Sequence, residues 1–150
     1  MEKLQQKTLT KDCFFPQSPG SCWAHGSLDG LSKPNFPDIM SWKWELKHCS
    51  GFVEEDNEQF LIINQSGIYF IYAQVYRRKQ MRDVFTLKLY KHPNITLNEA
   101  LGPKEGDESG TINFARLFFL SKGDRLYCSS NFEPDEVVTG TLSYWGLYKM

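Results

Sequence analysis

The chain has 150 residues, of which 41% are hydrophobic, 15% aromatic and 23% charged, with a formal net charge of −1. Such a chain is long and apolar enough for one domain with a sizeable core and too hydrophobic for a disordered segment. It offers no basic stripe for nucleic acid, and no apolar run approaches the ~20 residues that cross a bilayer. Aromatic rings are costly to leave in water, so the high aromatic share predicts an interface in addition to a large core.

Residues 1–20 read as a polar lead-in without the apolar centre of a signal segment, broken by Phe14-Phe15-Pro16 and Pro19-Gly20. The single domain is expected over residues 21–150. Residues 21–28 suit a short strand, and 29–38, with Gly30, Pro34 and Pro37, a loop. Residues 41–48 alternate, with Trp42, Trp44, Leu46 and His48 opposite Lys43, Glu45 and Lys47, the pattern of a half-buried strand. The acidic run Glu54-Glu55-Asp56-Asn57-Glu58 reads as a solvated loop and Phe60-Leu61-Ile62-Ile63 as a strand.

Next comes Gly67-Ile68-Tyr69-Phe70-Ile71-Tyr72-Ala73-Gln74-Val75, the most apolar stretch of the chain. Its β-branched and aromatic residues favour a strand. Period-2 geometry puts Ile68, Phe70, Tyr72 and Gln74 on one face and Tyr69, Ile71, Ala73 and Val75 on the other. Both faces are too apolar for water. One packs into the domain, and another copy of the chain is the simplest cover for the second.

Residues 84–91 alternate again, residues 95–101 suit a strand or a helical turn, and 102–110 form a loop. Strands are expected at 111–120, 126–131 and 139–149, with a turn at Ser121-Lys122-Gly123-Asp124 and a loop at 132–138. In the last strand Leu142, Tyr144, Gly146 and Tyr148 oppose Thr141, Ser143, Trp145 and Leu147. Nine or ten short strands with no helix predict an all-β sandwich or barrel.

Cys13, Cys22, Cys49 and Cys128 lie nine, twenty-seven and seventy-nine residues apart, which matches no zinc or redox spacing. Their even number permits two disulfides. Two glycosylation sequons, Asn64-Gln65-Ser66 and Asn94-Ile95-Thr96, fall at expected turns, and with the cysteines they favour an oxidising, extracellular setting. His25, His48 and His92 fall in separate segments without metal-ligand spacing, and no nucleophile elbow or phosphate loop is present. The acids at 54–55 and 107–108 lie in loops without an apolar pocket signal, so an enzyme, a cofactor and a metal are not expected.

Three segments in order resemble the tumour necrosis factor (TNF) ligand family. Asn64-Gln65-Ser66-Gly67-Ile68-Tyr69-Phe70-Ile71-Tyr72-Ala73-Gln74-Val75 resembles its strand C, and Phe118-Phe119-Leu120-Ser121-Lys122-Gly123-Asp124-Arg125-Leu126 its F–G turn. Ser143-Tyr144-Trp145-Gly146-Leu147-Tyr148-Lys149-Met150 resembles its final strand H. Trp42 and Ala24-His25 are weaker echoes, and the short segment after Val84 leans toward the compact branch that includes GITR ligand.

The resemblance implies a jelly roll of about ten antiparallel strands, with an inner sheet A′AHCF and an outer sheet B′BGDE, forming a homotrimer through the inner sheets. It implies an extracellular cytokine, the ectodomain of a type II membrane protein or its shed form. Such a cytokine clusters a TNF-receptor-family receptor in grooves between protomers. Carried over residue by residue, Phe70, Tyr72, Phe114 and Tyr144 line the trimer contact, while Tyr69, Ile71, Trp145 and Leu147 face the core. Receptor contacts fall on the loop at 29–38, on the basic run with Arg77, Arg78, Lys79 and Arg82, and on the turn with His92 and Asn94. No tyrosine lies in that turn, which favours a co-stimulatory ligand over a death-inducing one. The disulfides expected are Cys13–Cys22, closing a short loop, and Cys49–Cys128, tying an early strand to strand G. A complement-type head domain is the alternative on the same fold, but residues 1–20 lack a collagen repeat. A carbohydrate-binding sandwich using Trp23, Trp42, Trp44 and Trp145 is the alternative of another class.

Overall fold

A computed structural model describes residues 22–30, 39–77, 86–102, 110–130 and 140–150. Cys13, Arg78, Lys79, Arg82, the loop expected at 132–138 and most of those expected at 29–38 and 102–110 lie outside the described residues, while Asp29, Gly30 and Gly110 fall in strands. The described residues form ten strands: β1 Trp23–Gly30, β2 Ser41–Lys47, β3 Val53–Asp56, β4 Phe60–Ile63, β5 Gly67–Arg77, β6 Thr86–Lys91, β7 Ile95–Leu101, β8 Gly110–Leu120, β9 Arg125–Ser130 and β10 Gly140–Lys149. They make two five-stranded sheets, ordered β2-β1-β10-β5-β8 (sheet I) and β3-β4-β9-β6-β7 (sheet II), and every pairing is antiparallel. Lettered in chain order, these are A′AHCF and B′BGDE, the strand orders of a jelly roll.

The core lies between the sheets and follows the period-2 patterns. Tyr69, Ile71, Ala73 and Val75 of β5 are buried, as are Ser143, Trp145 and Leu147 of β10. Sheet II answers with Leu61 and Ile63 of β4, Leu87 and Leu89 of β6, and Leu126 and Cys128 of β9. Each fully buried aliphatic side chain contributes ~2 kcal/mol of transfer free energy. Trp42 and Trp44 of β2 meet Trp145 edge-on, with ring centroids 6.4 and 5.2 Å away. Further along β2, Leu46 and His48 run past the core and are exposed.

Three expectations change. The acidic run is not a loop: Val53–Asp56 pairs with β4 as an edge strand, and only Asn57 and Glu58, both with positive φ, turn back. An edge strand needs one buried anchor, and Val53 supplies it while Glu54 and Glu55 stay in water. Asp56 is also held, by an ion pair with Arg125. Residues 95–101 resolve as strand, paired with β6.

The third change concerns the cysteines. Cys22 is bonded to Cys49, with Cα atoms 4.4 Å apart, and Cys128 is free and buried, so neither expected bridge forms. The cause is pairing: β1 and β2 run antiparallel with Trp23 opposite Lys47, which brings the residue before β1 to the residues after β2. Cys128 lies in sheet II, paired with Leu89. Burial pushes its thiol well up from the usual cysteine range, so it rests as an inert core side chain.

Candidate functional site

The outward face of sheet I is apolar where a solvated sheet face would be polar. Register places its residues in rows. Lys47, Trp23, Tyr148, Phe70 and Leu117 run from β2 to β8. The next row is Glu45, His25, Gly146, Tyr72 and Ala115, and the third is Lys43, Ser27, Tyr144, Gln74 and Asn113. Beyond the first row Ile68 pairs with Phe119. The β2 edge is therefore charged, and from β1 to β8 the first two rows are aromatic, aliphatic or small, while the third ends in the polar Gln74 and Asn113. Ile68, Leu117 and Phe119 are 48%, 54% and 70% exposed, far more than large apolar residues keep without a reason. The rings bound a cleft of about 720 Å³ lined by Trp23, His25, Phe70, Tyr72, Tyr144 and Tyr148 among others.

Tyr72 is the hub. Trp23 Nε1–H donates to its phenol oxygen at 2.9 Å, and His25 Nδ1 lies 2.8 Å from the same oxygen. The phenol can donate to His25 Nδ1 or accept from it, according to the tautomer of the ring. Burial lowers the His25 pKa, against a weaker upward pull from Glu45, which favours the neutral ring. Burial also pushes the Tyr72 phenol well up from its usual range, ahead of the opposing effect of the Trp23 hydrogen bond. The rings of His25, Phe70 and Tyr144 pack around Tyr72 at centroid distances of 5.8, 6.5 and 6.1 Å. Gly146 makes room for it: a Cβ there would collide with the Ala24 carbonyl oxygen and lie 2.5 Å from the Tyr72 hydroxyl.

Phe70, Tyr72 and Tyr144 thus share one outward surface, while Phe114 stands on the opposite face of its strand. In β8 it pairs with Ala73, whose side chain is buried, and it packs partly buried against the core, although it also lines the cleft. A one-residue step in a strand changes the face, and the outward positions are Asn113, Ala115, Leu117 and Phe119. Sequence reasoning missed Trp23, His25, Leu117, Phe119 and Tyr148. In β1 the alternation of buried Cys22, Ala24, Gly26 and Leu28 with half-buried Trp23, His25 and Ser27 carried the signal.

The tryptophans do not form one platform: Trp42 and Trp145 are buried, and Trp23 belongs to the outward face. Among the described residues no group of three His, Cys, Asp or Glu is placed to hold a metal ion.

The expected receptor residues fall at opposite ends of the sandwich. Arg77 ends β5 opposite Gly110, whereas Gly67, at the other end, faces Leu120, from which the chain turns into β9. The turn at 92–94 belongs to that second end, since His92 N–H donates to the Arg125 carbonyl at 2.7 Å. Eleven residues of β5 separate the two ends, roughly 33 Å at ~3.3 Å per residue. His92 and Asn94 are exposed. Tyr127 Oη donates to the Pro93 carbonyl at 2.7 Å, and the His92 ring meets Phe60 edge-on.

The structure defines a class: a two-sheet jelly roll with one aromatic sheet face left open to an outside surface. The model of the TNF (tumour necrosis factor) family matches residues 40–150, and the chain belongs to that family of cytokine ligands. Among solved structures it is similar to the crystal structure of murine APRIL at pH 5.0. That match has a TM-score of 0.61 and 15% identity and covers 87% of this chain and 99% of that one, a likeness of fold. No curated protein matches the sequence.

Proposed function

We propose that the chain is an extracellular, homotrimeric cytokine that clusters receptors of the TNF-receptor family, one in each groove between protomers, with a co-stimulatory output. The open aromatic face of sheet I carries this reading. Covering it with two further copies buries Phe70, Tyr72 and Tyr144 together with Trp23, Tyr148, Leu117 and Phe119, and leaves the charged β2 edge at the rim, the usual order of an interface. Receptor contact then falls at both ends of each groove, on the basic run of Arg77, Arg78, Lys79 and Arg82 at one and on the turn of His92 and Asn94 at the other. Arginine is favoured at interface hot spots. Signalling in this reading needs no catalytic group: three identical grooves raise the effective concentration of receptor tails. The membrane anchor of a type II protein belongs to the same proposal.

The test is the solution mass at micromolar concentration by light scattering for wild type, Tyr72→Arg and Leu117→Glu. A wild-type mass three times that of the chain, falling toward one in both variants, is the expected result. Leu117 is 54% exposed, so its substitution leaves the protomer folded. A monomeric wild type refutes the proposal.

A further inference from the structure

We infer that Asn94 carries an N-linked glycan and that Asn64 does not. The inference rests on the extracellular setting proposed above, and it separates two sequons that look alike in sequence. Asn94 stands at the tip of the β6–β7 turn, and residues 92–96 are exposed without interruption, so its amide and the Thr96 hydroxyl of the sequon both reach solvent. The turn is held from beneath by backbone atoms, through His92 N–H to the Arg125 carbonyl and Tyr127 Oη–H to the Pro93 carbonyl. Neither bond uses a side chain of the sequon.

Asn64 sits in a different environment. It is half-buried, and its N–H donates to the Phe52 carbonyl at 2.7 Å. The Ser66 hydroxyl of its sequon accepts from Lys122 N–H at 2.8 Å, and Tyr69 Oη donates to the Gln65 carbonyl at 2.6 Å. Residues 64–66 are thereby tied to the β8–β9 turn and to the start of β5, the most apolar strand of the chain. A glycosyl transferase needs the acceptor amide and the hydroxyl two residues on to be exposed and free of other hydrogen bonds. Ser66 itself is exposed, but its hydroxyl is engaged by the Lys122 N–H where the chain enters β5.

The transfer at Asn94 forms a bond from Nδ2 to the anomeric carbon of a lipid-linked oligosaccharide. The carbon–oxygen bond to the lipid diphosphate breaks, the diphosphate leaves with the electron pair, and the amide gives up one proton. A glycan there stands beside His92, at the end of the groove where the 92–94 turn lies. The Arg77 end, a strand length away, stays bare.

The test directs the 150-residue chain into the secretory pathway of a eukaryotic cell with an added leader. Cells and medium are analysed together by gel mobility and intact mass, before and after peptide-N-glycosidase. Wild type is expected to lose one glycan on treatment. Asn94→Gln and Thr96→Ala are expected to run from the start as the treated protein, and Asn64→Gln as wild type. An unshifted wild type, two glycans, or a shift that survives Asn94→Gln overturns the inference. Light scattering on the same samples keeps the two readings apart. A trimer without the glycan removes only the site assignment, and a monomer with the glycan at Asn94 removes only the trimer.

Discussion

Replacing Gly146 by alanine tests the packing at the centre of the aromatic face. The added Cβ would strike the Ala24 carbonyl of β1 and lie 2.5 Å from the Tyr72 hydroxyl and 2.8 Å from its Cζ. Ordinary contact begins near 3.4 Å, so β1 and β10 must part or Tyr72 must swing out. Overpacking of this kind costs about 1–3 kcal/mol. Displacing Tyr72 also gives up its hydrogen bonds with Trp23 and His25, about 1 kcal/mol each. The sum is about 3–5 kcal/mol, a large share of the ~5–15 kcal/mol that holds a domain together. It corresponds to a fall of roughly 6–20 °C in Tm at ~2–4 °C per kcal/mol. Thermal and urea unfolding at one fixed protein concentration measures it, because assembly makes Tm concentration-dependent. Gly110→Ala is the control: nothing lies within 4 Å of its Cβ, and the change is expected to be neutral or slightly stabilising. In a Tyr72→Phe background the Gly146→Ala penalty should shrink, since one of the two oxygens in the way is gone. A Gly146→Ala protein within ~0.5 kcal/mol of wild type would refute the reasoning.

Removing the bridge in the Cys22→Ser, Cys49→Ser protein should cost about 3–4 kcal/mol by freeing a loop of 27 residues in the unfolded chain, read as a lower urea midpoint. Cys128→Ser should leave the bridge in place and lower stability only by burying a hydroxyl in an apolar site. The His25 pKa is depressed in the folded protein, so the unfolded chain takes up the proton first: stability is full above 6.5 and falls as pH drops below that value. Glu45, Tyr72 and Tyr144 face the ring, and only Glu45 favours the cation. Unfolding midpoints from pH 7.5 to 5 check this, and His25→Gln should flatten the slope. Asp56→Asn removes an ion pair that is about one-quarter to one-third exposed, and it should cost less than ~1 kcal/mol in the same assay, with the loss shrinking further in high salt.

Local pattern made much of the fold legible. The alternation of 69–75, 86–91 and 142–148 set which side chains enter the core, and burial follows it except at Gly146, which is buried on the outward set, and Lys91, which is not buried on the inward one. The same alternation showed that the strand from Gly67 has two apolar faces, which is the root of the proposed interface. Three motifs in order pointed to the jelly roll. These features depend on neighbours along the chain, so one sequence suffices to read them.

What tertiary structure decided depends on partners far apart in sequence. Cys22 meets Cys49 only because β1 and β2 pair with Trp23 opposite Lys47. The acidic run becomes a strand only because β4 offers it an edge. Phe114 turns inward because the β5–β8 register sets it against Ala73, where a shift of one residue would have turned it outward. Trp23, His25 and Tyr72 come from positions 23, 25 and 72, and only the antiparallel stacking of β1, β10 and β5 brings them within hydrogen-bond reach. Period-2 geometry tells a chain which residues share a face, whereas cross-strand pairing, a non-local choice, decides which faces meet.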